Sequence, residues 1–239
     1  MHSKRIALVT GANKGIGLEI ARQLAQAGVR VFLGARDTDR GRAAAERLGA
    51  EGLSAQSVRV DLDDVASIAA VAETIDAAHG RLDILVNNAG IFDFADGPPG
   101  KAAIEAVRRV MEVNFIGALA VTQALLPLLR AAPAARIVNL SSSMGSLTLN
   151  GDPTSTYYAQ RYIGYNASKA ALNMLTVLLA EELRDDGIMV NSVSPGFVKT
   201  DLTGYGIMTS EDGARLPVQY ALGGEESGRF VEPDGTTPW

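Results

Sequence analysis

Thr10-Gly11-Ala12-Asn13-Lys14-Gly15-Ile16-Gly17 joins a short apolar run, 6–10, to an Ala- and Leu-rich stretch of helical period, 15–27. A glycine at such a turn lets the chain reverse without a Cβ clash. Further glycines let the backbone approach a ligand and let the helix pack close to the strand. The helix start also presents unsatisfied N–H groups and the positive end of its dipole, which suits a pyrophosphate. A glycine triplet alone is weak evidence, because tight strand–helix turns occur without ligands. Its place after the first strand of an alternating pattern gives it meaning. That alternation runs along the chain: β-rich apolar runs recur at 29–34, 56–61, 82–86, 136–141, 188–194 and 229–231, and helical stretches at 38–49, 64–79, 101–130, 165–185 and 210–222. The pattern predicts a single-domain, Rossmann-type α/β fold, a doubly wound parallel sheet of about seven strands with helices on both faces.

No linker, repeat or low-complexity segment interrupts the 239 residues. One domain is expected over 1–239, with a nucleotide half at about 1–140 and a catalytic and substrate half at about 141–239. Pro127 is expected to kink or end the fifth helix. Two irregular stretches, 91–100 and 144–164, follow strands at the edge where open α/β sheets place ligands, and they are the expected substrate walls.

Composition removes several chemistries. The net charge is −5 without a long basic run, against nucleic-acid binding. No window approaches about 18 uninterrupted apolar residues, so no membrane span is expected, and the N-terminal apolar run is too short for a secretory core; a cytoplasmic location is expected. There is no cysteine and there are only two histidines, His2 and His79. Thiol catalysis and disulfides are impossible, zinc sites built on Cys or several His lack material, and no metal site is expected. A Ser-His-Asp hydrolase would have to use His79, which reads instead as a cation at a helix C-terminus before Gly80.

Other motifs fall in order along the same pattern. Asn87-Asn88-Ala89-Gly90 follows the fourth strand, Asn114 lies in the next helix, and Ser141-Ser142-Ser143 ends the fifth strand. Tyr165-Asn166-Ala167-Ser168-Lys169 opens a helix, and Ser194-Pro195-Gly196 follows the sixth strand. With the GxxxGxG spacing of Gly11, Gly15 and Gly17, these features resemble the short-chain dehydrogenase/reductase family over nearly the whole chain, in pattern nearest its NADPH-dependent carbonyl reductase branch. The resemblance implies a nicotinamide cofactor held by Gly11, Asn13, Lys14, Gly15, Ile16 and Gly17. It also implies an adenine contact from Asp61, and further cofactor contacts from Leu62, Asn88, Ala89, Gly90, Tyr165, Lys169, Pro195 and Gly196. The Val198 backbone would meet the carboxamide, and Thr200 the carboxamide or pyrophosphate.

Family members that prefer NAD end the second strand with an acid, which binds the ribose 2′-hydroxyl. Ala35 holds that position here, Arg36 follows, and Asp37 comes one position late. A guanidinium can grip a 2′-phosphate in bidentate fashion, and Lys14 adds positive charge nearby, so NADP(H) is the expected cofactor.

Tyr165 and Lys169 are four apart and share a helix face. A nearby ammonium stabilises phenolate and lowers the tyrosine pKa, so Tyr165 is expected as general acid/base for hydride transfer to a ketone or aldehyde. The resemblance implies that Lys169 also binds the cofactor ribose, that a serine orients the carbonyl, and that Asn114 holds a water in the proton relay. Aligning Gly145 with the family glycine selects Ser142, with Ser141 as runner-up and Ser143 pointing away. Tyr157, Tyr158 and Tyr162 lack the full motif and read as pocket or packing residues. The Ser146-to-Gly164 loop is longer than in compact family members and resembles in placement the insertion of monomeric carbonyl reductases, so a monomer is favoured, with a dimer as alternative. The short 200–210 region suggests an open pocket for a small-molecule carbonyl or alcohol. An epimerase or dehydratase using the same Tyr–Lys pair, or a non-catalytic NADP(H)-binding sensor, remain alternatives.

Overall fold

The computed structural model describes residues 4–201 and 204–239. Strands β1 (Ile6–Thr10), β2 (Arg30–Ala35), β3 (Ala55–Arg59), β4 (Ile84–Asn87), β5 (Arg136–Leu140), β6 (Met189–Val193), β7 (Phe230–Glu232) and β8 (Gly235–Thr236) form one sheet in the order β3-β2-β1-β4-β5-β6-β7-β8. All pairs are parallel except β7 with β8. β8 was not anticipated, because a two-residue strand carries no periodicity to read. Along β1, Ile6 and Leu8 enter one hydrophobic layer while Ala7 and Val9 enter the other. Burial on both faces explains why this strand is apolar throughout.

The helices are α1 (Gly15–Gln26), α2 (Thr38–Ala50), α3 (Val65–His79), α4 (Ile104–Met111), α5 (Ala118–Arg130), α6 (Leu147–Gly151), α7 (Ile163–Glu182) and α8 (Ser210–Leu222). The expected single helix over 101–130 is divided by a π-helical turn, Glu112–Gly117. At its end a Cβ on Gly117 would lie 2.5 Å from Leu62 Cβ, so glycine allows the close approach. By length and composition this helical run could cross a membrane, but Val110, Val121, Leu125 and Leu129 are completely buried against the protein. Pro127 neither ends nor breaks α5, which continues to Arg130. The bond it forgoes belongs to the carbonyl one turn earlier, at exposed Gln123, where water can serve.

A polar row crosses the sheet interior. Asn87, Asn139 and Ser192 stand in register on β4, β5 and β6. Asn87 Nδ2 donates to Thr122 Oγ1 of α5 (3.0 Å) and Asn139 Oδ1 (2.9 Å), and Asn139 Nδ2 donates to Thr176 Oγ1 of α7 (2.8 Å). Thr176 and Ser192 share a further bond of 2.8 Å. Buried hydrogen bonds are costly to break, so the row holds α5 and α7 at one height against the sheet.

Candidate active site

The strand order reverses between β1 and β4, and a cavity of about 710 Å³ opens there at the carboxyl edge. Its size lies within the roughly 300–1,000 Å³ of ligand pockets.

One end is the glycine turn, where Gly11, Asn13, Lys14, Gly15 and Ile16 line the wall. The N-terminus of α1 has no side-chain cap and no acid in its first turn. By contrast, α2, α3 and α8 are capped by Asp37, Asp64 and Thr209. The orphan N–H groups and positive dipole end of α1 are therefore available to an anion. Gly15 has φ +58°, and a Cβ there would meet nothing within 4 Å, so the turn faces open space. Gly17 differs: it lies off the wall, and its Cβ would sit 2.3 Å from Asn88 Nδ2. It is a packing glycine. Asn88 spends its amide on the turn, donating to Thr10 O (2.8 Å) and Gly11 O (3.2 Å). Ala89 and Gly90 complete this wall.

Arg36, Asp61 and Leu62 line the outer part of the cavity. Arg36 is exposed and makes no ion pair with the described residues. Asp37 is turned into the cap of α2, accepting from Arg40 N and Asp39 N at 3.0 Å each. The Arg40 N–H chiefly holds its carboxyl below the usual range. The free positive charge expected at Lys14 needs correction, because Lys14 Nζ lies 2.8 Å from Asp201 Oδ2 across the cavity mouth. Both groups are exposed, so the pair is weak and an incoming phosphate can compete for it. Thus the uncapped helix, the absence of a carboxylate at Ala35 and the available Arg36 fit a phosphorylated dinucleotide.

At the other end α7 carries Tyr165 and Lys169 into the cavity. The three serines divide by direction. Ser141 Oγ donates to Asn173 Oδ1 (2.6 Å), and Ser143 Oγ bonds Ser194 and Glu232. Ser142 Oγ accepts from Met144 N (3.2 Å), and of the three it is Ser142 that acts on the Tyr165 phenol, pulling its pKa down, although Ser141 is the serine on the cavity wall. Lys169 is buried, donates to Leu140 O (2.8 Å), and has Nζ 5.7 Å from the Tyr165 ring centroid. No hydrogen bond joins it to the phenol among the described residues. In the unliganded protein the Tyr165 phenol responds chiefly to burial and to Ser142. Burial pushes Tyr165 up to about 12, with the Ser142 bond pulling the other way, and burial brings Lys169 down to about 8. Desolvation penalises the charged form of each group.

Asn114 lies on the π-helical turn, clear of the cavity wall. Its Oδ1 accepts from Ile91 N (2.7 Å), while Nδ2 donates to Ile91 O (3.0 Å) and Ser168 Oγ (3.1 Å). The side chain clamps the loop after β4, leaving one lone pair of its four hydrogen-bonding positions for the water it was expected to hold. Pro195 and Thr200 line the cavity, but Gly196 and Val198 do not. The Val198 backbone was expected to meet a carboxamide; its N–H donates to Gly196 O (3.1 Å), and its side chain is buried against Gly213. Leu202 and Thr203, within the 200–210 region, lie outside the described residues. His79 ends α3 before Gly80, as expected; burial, then Arg30 and Arg81, lower its pKa, and its ring packs edge-on against Phe32. It lies off the cavity wall.

Two features of the 91–100 segment escaped sequence reading. Phe92 meets Tyr162, Phe94 and Tyr165 edge-on, with ring centroids 4.9, 5.5 and 5.7 Å away. Asp96 is buried beneath the start of α7. Neither has a local sequence signal, since both act on residues about 70 positions later.

Known proteins show the same organisation. The family model for short chain dehydrogenases matches residues 5–207. Human carbonyl reductase [NADPH] 1 is 35% identical, with 98% of each chain covered. The (+)-neomenthol dehydrogenase of Arabidopsis thaliana is 36% identical over 91% of each. The solved structure of NADPH-bound carbonyl reductase from chicken fatty liver superposes with a TM-score of 0.85 at 32% identity, covering 99% of both chains.

Proposed function

The chain belongs to the short-chain dehydrogenase family, and from that premise we propose that it is an NADPH-dependent reductase of ketone or aldehyde carbonyls. Tyr165 and Lys169 at one end of a cavity whose other end is an uncapped helix N-terminus, with Ser142 acting on the Tyr165 phenol, carry this reading. NADPH-dependent relatives of similar length support the choice of cofactor. The glycine turn and the start of α1 would hold the pyrophosphate, Arg36 the 2′-phosphate, and Lys169 the nicotinamide ribose.

When bound, the reduced nicotinamide supplies the hydride. Tyr165, raised to about 12, stays protonated through neutral pH and holds the proton that the product alkoxide needs. As that proton leaves, the Ser142 hydroxyl and the Lys169 ammonium stabilise charge on the oxygens beside them. Lys169, at about 8, is still mostly ammonium at pH 7. The one acceptor position left on Asn114 suits a relay water that would restore the Tyr165 proton.

The test is NADPH absorbance against a panel of ketones and aldehydes, with NADH in parallel. We expect NADPH-dependent turnover in the wild type. Tyr165→Phe should keep NADPH affinity, followed by fluorescence titration, while kcat falls by on the order of 100- to 10,000-fold. A Phe variant with wild-type turnover would remove Tyr165 from the chemistry.

A further inference from the structure

Tyr165 sits in the third residue of α7, and the first turn of any helix leaves N–H groups without intrahelical partners. Tyr162, the residue before α7, offers no side-chain cap. The partners come instead from the loop after β4. Ile163 N donates to Gly97 O (3.0 Å), Gly164 N to Asp96 Oδ1 (3.0 Å), and Tyr165 N to Asp96 Oδ2 (2.8 Å). Asp96 Oδ1 also accepts from Gly97 N (2.8 Å). The carboxylate is 8% exposed, so this cap is dry and charge-assisted, at the helix end where the dipole favours an anion.

Gly164 makes the approach possible, because a Cβ there would lie 3.1 Å from both Asp96 Oδ2 and Val107 Cα. The same loop is anchored at its other end. Asn114 holds both backbone groups of Ile91, and Arg109 pairs with Asp93 through two bonds to Oδ2 (3.0 and 2.5 Å). Between these anchors Phe92 presses on the Tyr165 ring.

We propose that Asp96 is a positioning residue: by bonding the backbone of Gly164 and Tyr165 it sets the phenol against the wall formed by the β4 loop, joining the expected substrate wall to the proton donor. This rests on the reductase reading above. Misplacing a reacting group by about 1 Å can cost on the order of 100-fold in rate.

Two variants test it. Asp96→Asn has the same shape and keeps one carbonyl acceptor, but it turns an NH₂ donor on one of the backbone N–H groups. Gly164→Ala leaves the carboxylate intact and raises helix propensity, yet it wedges a methyl between α7 and Asp96. Both are expected to fold, to bind NADPH within about twofold of wild type, and to lose kcat by on the order of 10- to 100-fold. Hydrogen exchange at the Tyr165 amide should accelerate in Asp96→Asn. Asp96→Ala, which restores no acceptor, should be worse than Asp96→Asn. Wild-type kcat in both Asp96→Asn and Gly164→Ala overturns the proposal, as does a loss of kcat matched by loss of NADPH affinity, which marks general disruption. A wild type without turnover on any carbonyl overturns the reductase reading itself, and this proposal with it.

Discussion

Lys169 shows how a residue proposed for the chemistry burdens the fold. Burial lowers its pKa from 10.5 to about 8, while an unfolded chain keeps the ordinary value. Between those values the unfolded state binds more protons, so this group's contribution to stability rises with pH through that window. Below pH 8 the folded state bears the full cost of the buried ammonium. Lys169→Met is therefore expected to abolish turnover yet stabilise the unliganded protein at pH 7. The gain should be about 1–2 kcal/mol, after an offset for the lost bond to Leu140 O, and should shrink towards pH 10. Urea denaturation at both pH values measures it. Arg36 belongs to the same scale. Ala35 beside it carries no carboxylate, and Asp37 is committed to the cap of α2. Arg36→Ala should weaken NADPH by about 1.5–3 kcal/mol while leaving NADH nearly unchanged, read from paired Kd titrations. Equal weakening of both would remove Arg36 from that role.

Among the elements, α1 and α7 meet the problem of their first turn in opposite ways. α1 leaves its N–H groups facing the cavity, whereas α7 has its own satisfied by a loop from β4. The first arrangement prepares an anion site, and the second produces a rigid carrier for Tyr165. Gly17 is the tightest joint of the first. Gly17→Ala would drive a methyl to 2.3 Å from Asn88 Nδ2 and 2.6 Å from Gly11 O. Overpacking there should cost about 1–3 kcal/mol and displace the glycine turn, lowering Tm and NADPH affinity together. An alanine variant with wild-type Tm and affinity would show that the joint yields freely.

Across the whole molecule, the alternation of apolar runs and helical periods carried the fold, because burial on both sheet faces forces each strand to be apolar along its length. Strands such as Ile6–Thr10 and helices such as Ser210–Leu222 stand where their patterns place them. The π-helical turn at Glu112–Gly117 was invisible, since one extra residue hardly alters helical periodicity. The candidate site was readable wherever a motif is local: the glycine turn, and Tyr165 with Lys169 on one helix face. Choosing among Ser141, Ser142 and Ser143 by geometry requires knowing which way each hydroxyl turns, and that depends on Asn173 and Glu232 from other elements. Sequence alone determined the general alternation of strands and helices, the absence of thiol chemistry and the residues that can exchange protons, because these depend on composition and short-range spacing. Tertiary structure alone decided that burial raises Tyr165 and lowers Lys169, that Lys14 meets Asp201, and that Asp96 caps α7. Desolvation and hydrogen bonds between distant residues exist only once the chain has closed around them.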